Sequence, residues 1–587
     1  MLTLLLVGLV VLAQAKDVLF EITLTWDTSS PDGYAREAIL VNDSIPGPPL
    51  YVDQGDQIYF IVWNLMPFNT TIHFHGIEQI NTPWSDGVPG LAQRPIQPGA
   101  GFLYEWNANE YGSYFYHCHA QGHIDDGCYG AIHVQASEEV PRPFGLITND
   151  SQEMAAISQA EKISSPIILS DWTHLTSTQR WKGEEAAGRE SYCTNSILIN
   201  GKGSAVCLNQ TVINSSMTSN MWTVTGGIPY TDMACLPPQL AVGQGYFPYN
   251  LSAAPQGLWF GCQASTGSAE VLNVDAKTQY VSYDVISAAG TSTFIFSIDE
   301  HPVWVYAVDG RYVTPTLVDA FTISNGQRFS ILVRLDRPAA LYNIRTVVNG
   351  LNQIMEGTSY LSYTGKSTLY SSSQPYITLN GTALTSETVF WEEAAAIPFP
   401  PVAPSLTSDE TYILSIARYK ASYNWTLGST QYPTFQVEGE EPLLFNLNAQ
   451  SSSSPWEIRT QNGSWVDLVI LAEGVASPHP IHKHSNKYFV IGQGTGPWNY
   501  SSVADAIAAQ PSSFNLVNPP MRDTYSTPRA AGAGSWLVLR YQVVNPGAFL
   551  LHCHVQSHLD GGMAINLLDG INKWPAVPDS YLHSNGF

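Results

Sequence analysis

The sequence predicts an all-β protein of about three sandwich or barrel domains. Three observations lead there. The chain has 587 residues, too many for one hydrophobic core. From Val18 onward it runs in short stretches rich in β-branched and aromatic residues, split by Gly, Pro, Asn and Asp, the pattern of strands joined by tight turns. Apolar residues at helical spacing are scarce, and only 150–162 and 503–509 read as helices. Hydrophobic residues make up 44% and charged residues 13%, a composition that packs rather than stays disordered.

The elements follow in order. Leu2 to Ala13 is an apolar run ahead of Ala13-Gln-Ala15 and Lys16. Residues 1–15 therefore read as a secretory signal cut after Ala15. No basic residue precedes the run, which leaves an uncleaved anchor as the alternative. No later stretch approaches the roughly 20 apolar residues of a membrane span. Ten Asn-x-Ser/Thr sequons, at Asn42, Asn69, Asn149, Asn209, Asn214, Asn250, Asn380, Asn424, Asn462 and Asn499, would be glycan acceptors in a secreted chain.

The first domain, 16–145, carries Thr71-Ile-His73-Phe-His75-Gly76 and Tyr116-His117-Cys118-His119. Side chains alternate along a strand, so each His-x-His pair shares a face. A turn-rich loop, 82–90, carries Asp86 between them, either as a turn residue or as an acid serving the site. The second domain, 160–375, has no His-x-His. Its His174 and His301 read as structural, and the domain as a metal-free spacer. Residues 209–267 look like a Gly/Pro/Ser-rich insertion. Cys193, Cys207, Cys235 and Cys262 could close two disulfides in three ways. A Pro-rich linker, 397–404, leads to the third domain, 400–587. That domain holds His479-Pro-Ile-His482-Lys-His484 and the stretch Leu551-His552-Cys553-His554-Val-Gln556-Ser-His558-Leu-Asp-Gly-Gly-Met563.

This last stretch sets the chemistry. A thiolate, two imidazoles and a distant thioether form the ligand set of a blue-copper site. Cys553, His558 and an axial Met563 supply three of these, and His479 the fourth. If Cys553 faces that metal, His552 and His554 face away from it. Eight histidines then remain: His73, His75, His117, His119, His482, His484, His552 and His554. They suit three copper ions with open positions better than a closed zinc site. Four come from each end of the chain, so the first and third domains must touch. Four coppers are expected in all.

The two ends also repeat. His117-Cys-His-Ala-Gln-Gly-His123-Ile-Asp-Asp-Gly-Cys128 matches 552–563 at seven positions. The first copy has Thr70 where the second has His479, and Cys128 where it has Met563. No blue-copper site is expected there, and Cys118 and His123 read as ordinary core residues. Net charge is −24, which argues against nucleic acid or an anionic membrane as partner.

Taken together, the four His clusters resemble those of the multicopper oxidases, which include laccases, ascorbate oxidases and iron ferroxidases. The likeness runs from about residue 20 to about 570. Its flavour, in 482–488 and 519–524, is that of ascomycete laccase-like and pigment-forming members. It implies three consecutive cupredoxin-like domains, with His73 and His482 at a type-2 copper and His75, His117, His119, His484, His552 and His554 at a type-3 pair. The implied reaction is one-electron oxidation of a small phenolic donor, with O2 reduced to water, by a secreted or cell wall-associated monomer. Cys553, His552 and His554 would carry electrons, and Asp86 would serve proton supply. A soluble ferroxidase, an ascorbate oxidase and a non-enzymatic copper-binding glycoprotein are the alternatives. Two positions depart from the family. Gln556 stands where an acid is common, and Asn195 aligns where phenol oxidisers often carry a carboxylate before Leu198-Ile-Asn-Gly201. Glu190 is either its substitute or a solvated side chain.

Overall fold

The structure, a computed structural model, describes residues 15–240, 244–370, 373–446, 454–472, 477–529 and 533–582. The expected signal segment, Ala15 excepted, lies outside them. Both predicted helices form, Ser151–Lys162 under an Asp150 cap that accepts from the Gln152 and Glu153 amides, and Val503–Ala509 under Ser502. A third, Ser177–Ala187, opens on a Thr176/Gln179 capping box. That helix has almost no apolar stripe, so its signal lay in the cap and not in the periodicity.

Apart from shorter helices such as Gln556–Asp560, most of the remainder is three two-sheet sandwiches built to one plan. In each, the first strand pairs in parallel with a later strand of its sheet: Asp17–Ser29 with Gln57–Asn64, Ser165–Trp172 with Tyr280–Ser287, and Glu410–Arg418 with Trp465–Ala472. The facing sheet also has one parallel edge pair, Leu50–Asp53 with Tyr129–Gln135, Val271–Val274 with Glu356–Tyr363, and Glu457–Arg459 with Ala564–Asp569. The repeat read between the two ends thus extends, at the level of topology, to the middle domain.

The middle and third domains each have a core of their own, around Phe296, Phe321 and Phe329 and around Leu468, Leu537 and Leu551. The first domain's core does not stop at its boundary. It runs from Phe60 and Phe74 into Ala548, Leu550, Leu559 and Tyr581 of the third. Each fully buried Leu contributes about 1.5–3 kcal/mol, so a dry apolar seam fastens the two end domains beside their histidine strands.

Candidate metal centre

The strand Ile72–His75 pairs with Gly112–Cys118 in a register that sets His73 opposite His117. In the third domain Pro480–Lys483 pairs with Gly547–Cys553 and sets His482 opposite His552. The two ladders face each other across the apolar seam. The rings of His73 and His484 stack at 3.8 Å, and those of His75 and His482 at 3.7 Å. His554 Nε2 lies 3.1 Å from His75 Nδ1, and His484 Nε2 lies 3.3 Å from His552 Nε2. All eight predicted imidazoles meet here.

Their orientation is fixed from behind. His73 Nδ1 donates to the Asp86 carbonyl at 2.6 Å, His482 Nδ1 to the Asp523 carbonyl at 3.0 Å, and His117 and His552 Nδ1 to the carbonyls of Cys118 and Cys553, each at 2.9 Å. Such bonds select the tautomer that leaves the other nitrogen's lone pair free. In His73, His117 and His482 that other nitrogen, Nε2, is buried without a hydrogen-bond partner, and so is Nε2 of His119. Four orphaned imidazole nitrogens in one dry space are costly unless something binds them. Burial holds the rings neutral, with His117 lowered to about 3 and His119 to about 4, each further lowered or partly offset by neighbouring groups. Neutral imidazoles keep the lone pairs that a metal takes.

Across the strand from His552 and His554, Cys553 points the other way, as alternation requires. Its Sγ lies 3.4 Å from His558 Nδ1 and 3.9 Å from His479 Nδ1. Cys553 is the free cysteine among seven and is buried. Burial pushes its thiol pKa up, so without a metal this sulfur would remain an inert thiol. Met563 is fully buried in the same core, and its carbonyl accepts from the Cys553 amide at 3.1 Å. Trp425 lies over His558, ring centres 4.3 Å apart.

Asp86 sits at the histidine cluster, fully buried, with Oδ2 accepting from His484 Nδ1 at 2.8 Å. Burial raises its pKa well above the usual carboxylate range, and Lys483 offsets part of that. Gln556 is not an acid, but its Nε2 donates to Asp560 Oδ1 at 2.9 Å. Asp560 lines a cavity of about 30 Å3 together with His117, His119, His552, His554 and Glu438, large enough for about one water. Burial raises the pKa of Asp560 well above its ordinary range and that of Glu438 to about 7. Asp560 was in plain view in the terminal motif, but nothing in its spacing distinguished it.

One expectation is corrected in the first-domain copy. Cys118 is not a lone core thiol but is bonded to Cys128, with Cα atoms 5.5 Å apart. The geometry follows from the repeat. Cys118 N donates to the Cys128 carbonyl at 3.1 Å, as Cys553 N does to Met563, and exchanging thioether for thiol at that position brings two sulfurs into bonding range. His123 is a buried core residue as read, its Nδ1 3.1 Å from Thr70 Oγ1. The other four cysteines pair as Cys193–Cys235 and Cys207–Cys262.

Asn195, the aligned position for a donor-site acid, instead accepts from the His174 amide. Glu190 takes that place and is not solvated. It is fully buried, with Oε1 3.0 Å from His558 Nε2 and Oε2 2.8 Å from Arg418. Burial alone would raise its pKa. Its contacts with His558 and Arg418 outweigh this and hold it below the usual range.

The middle domain reaches the cluster as well, which the spacer reading did not foresee. Gly326, at φ +84°, lies so close that a Cβ there would stand 2.7 Å from His75 Cε1 and 2.9 Å from His554 Cδ2. Arg328 clasps Asp523 at 2.6 and 2.7 Å, and Asp523 Oδ1 is 3.5 Å from His75 Nε2.

A thiol-and-imidazole cluster joined by one strand to an eight-histidine cluster, at the junction of β-sandwiches, defines an oxidase that holds several coppers. Comparison agrees. Multicopper oxidase family descriptions match residues 23–139, 164–366 and 424–573. The chain is 39% identical to "Laccase abr2" of Aspergillus fumigatus over 97% of both chains. It is 38% identical to "Multicopper oxidase MCE" of Talaromyces pinophilus, over 97% of this chain and 95% of that one. The fold matches the crystal structure of a laccase from Botrytis aclada at a TM-score of 0.71, with 24% identity and coverage of 96% and 89%. The protein belongs to the multicopper oxidase family, is an oxidoreductase built on cupredoxin domains, and uses four coppers. The groupings His479/Cys553/His558, His73/His75/His117, His73/His482/His484 and His119/His484/His552 have ligand atoms within 4.8 Å of one another, which fits those ions. No helix among the described residues is long and apolar enough to cross a membrane.

Proposed function

We propose that the protein is a secreted laccase-like phenol oxidase that couples phenolic metabolites, as in pigment formation. Four donors each lose one electron and one proton, and O2 takes four electrons and four protons to give two waters. The residue roles follow the sequence reading. His479, Cys553, His558 and Met563 would hold the type-1 copper. His73 and His482 would hold type 2, and His75, His117, His119, His484, His552 and His554 the type-3 pair. The coppers supply one-electron redox chemistry at the first site and oxygen reduction at the second.

The chain's own residues do the rest. Cys553 joins the two clusters through its backbone, since His552 and His554 are its neighbours. Asp86 on the buried side, and Asp560 with Glu438 at the cavity on the other, can hold protons beside the site where oxygen reduction consumes them. The observation that carries this reading is the alternation at 552–554, which places the thiol in one cluster and both flanking imidazoles in the other. The relatives named as laccases support phenols as donors. A monomer is expected, since both halves of the site come from one chain.

Glu190 is the observation that favours the rival reading, a ferroxidase, because a carboxylate on His558 could attract Fe(II). Its ion pair with Arg418 leaves it no free charge to do so. Comparing turnover of a diphenol, ascorbate and Fe(II) at one pH tests the proposal. A diphenol is expected to win, and an Fe(II) rate higher by orders of magnitude would overturn it. Near four coppers per chain with O2 uptake would exclude a non-enzymatic copper carrier.

A further inference from the structure

The outer face of the Cys553 cluster carries positive charge, against the sign of the whole chain. His558 Nε2 is covered by Glu190, which pairs with Arg418, and a second arginine, Arg189, lies close enough to Arg418 to feel its charge. Arg418 donates from NH1 to Glu190 and from NH2 to the Tyr192 hydroxyl at 2.5 Å, and its guanidinium lies 4.0 Å over Trp425. Arg189, the residue before Glu190, is 2% exposed. Its NH1 donates to the Gly245 carbonyl at 3.0 Å, and its guanidinium lies 4.2 Å from the Tyr249 ring centre. Nε of each arginine is buried and has no acceptor. Glu184, a turn before Arg189 in the chain, is already paired with Arg180 at 3.2 Å. Burial disfavours the Arg189 cation, Tyr249 offsets part of this, and the charge of Arg418 adds to it; among the described residues no carboxylate pairs with Arg189. A surplus guanidinium and two unfilled donors in a dry place ask for an anionic acceptor. Above Arg189 the Tyr249 ring is half exposed and Tyr246 almost wholly so, which gives an aromatic compound a surface to lie on.

We propose that the donor site takes an aromatic hydroxyl compound that bears an anionic group, a carboxylate or an ionised acidic hydroxyl, recognised by Arg189 and Arg418 with its ring against Tyr249. The inference rests on the phenol-oxidase reading and narrows its substrate class. It differs from a simple phenol site in that the charge on the donor, and not only its ease of oxidation, decides affinity.

The test uses the copper-loaded enzyme with 2,5-dihydroxyphenylacetate and its methyl ester, whose rings are insulated from the charge by a methylene. The acid is expected to show at least about a tenfold higher kcat/KM at low salt, the yield of one charge-assisted hydrogen bond, falling as salt rises. Arg189→Gln should bring the ratio to near unity with the blue absorption unmoved, and Arg189→Lys should keep much of it. A wild-type enzyme that treats acid and ester alike, or an Arg189→Gln enzyme that keeps the preference, would overturn the proposal. Calorimetry with redox-inert phenylacetate against phenylacetamide separates the two readings. If neither hydroquinone is oxidised, the phenol-oxidase reading falls, and phenylacetate binding that vanishes in Arg189→Gln still supports the anion site. No preference for phenylacetate there overturns it.

Discussion

Replacing Arg328 with Met should strip copper from the histidine cluster while leaving the blue site intact. Arg328 is fully buried and comes from the middle domain. It clasps Asp523 of the third domain with both NH groups, at 2.6 and 2.7 Å, and its Nε donates to the Ser113 carbonyl of the first at 3.1 Å. One guanidinium therefore ties three domains together beside the site. Removing one partner of a buried pair costs about 3–5 kcal/mol, because the other charge stays buried and unpaired. Lys487 Nζ, 3.4 Å from Asp523 Oδ2, remains and places that loss near the lower end, about 3 kcal/mol. The lost bond to Ser113 adds about 1 kcal/mol. Asp523 Oδ1 then keeps the Thr524 hydroxyl at 3.1 Å, with His75 Nε2 at 3.5 Å and His482 Nδ1 at 3.8 Å as the ionisable groups beside it. A carboxylate without its arginine draws protons onto those rings, and a protonated imidazole binds no metal. The assay is copper per chain by elemental analysis, read beside the blue band and the type-2 electron paramagnetic resonance signal. Copper should fall below four with the blue band kept. Arg328→Lys restores the charge but not the two-pronged fork, and should fall between. An Arg328→Met enzyme with four coppers and full O2 reduction would refute the argument.

Three further outcomes follow. Cys553→Ser should abolish the blue absorption and donor oxidation while the eight-histidine cluster keeps its copper, read by the same two spectra; retained donor oxidation would refute Cys553 as the link. Cys128→Ser should cost about 3 kcal/mol of stability, the loop-closure value for a short ring, since Cys118 and Cys128 are separated by 10 residues; thermal melts check it, and the variant should gain no second blue band, because Thr70 still stands where His479 does. The His133–Asp284 pair, 2.8 Å between the first and middle domains, should make the protein less stable as pH rises. Burial opposes the charge on His133, but Asp284 overcomes this and raises its pKa, so the pair's stabilisation is full below the ordinary imidazole range and is lost as pH climbs through the raised value; His133→Gln should flatten the melting-temperature profile over that interval.

The all-β class and the ligand strands were legible because both rest on local rules. Alternation at 552–554 follows from strand geometry alone, and the His-x-His pairs needed no tertiary knowledge to share a face. Much of what failed to show was a partner distant in the chain. Glu190 meets His558 across 368 positions of sequence, so its role was undecidable between buried acid and solvated side chain, whereas Asn195 was favoured only by its distance from Leu198-Ile-Asn-Gly201. Cys118 and Cys128 were misread for a different reason. The repeat aligned Cys128 with Met563, which disclosed that the metal ligand was lost but not that its replacement stood where a sulfur-sulfur bond could form.

The middle domain shows most plainly where a motif-based reading stops. It was judged a spacer because it lacks His-x-His, a test that detects ligands and nothing else. Yet its turn at 324–328 walls the cluster with Gly326 and neutralises Asp523 with Arg328. A site holding eight neutral imidazoles and a buried carboxylate cannot be made from ligands alone. Asp523 would otherwise compete with the metals for the same rings, by protonating them. Lys487 of the third domain supplies part of the charge that prevents this, and Arg328, from a domain free of ligands, supplies the larger part. On that argument the middle domain persists in a two-ended copper site because it sets the electrostatics of the junction, and the spacing is a consequence.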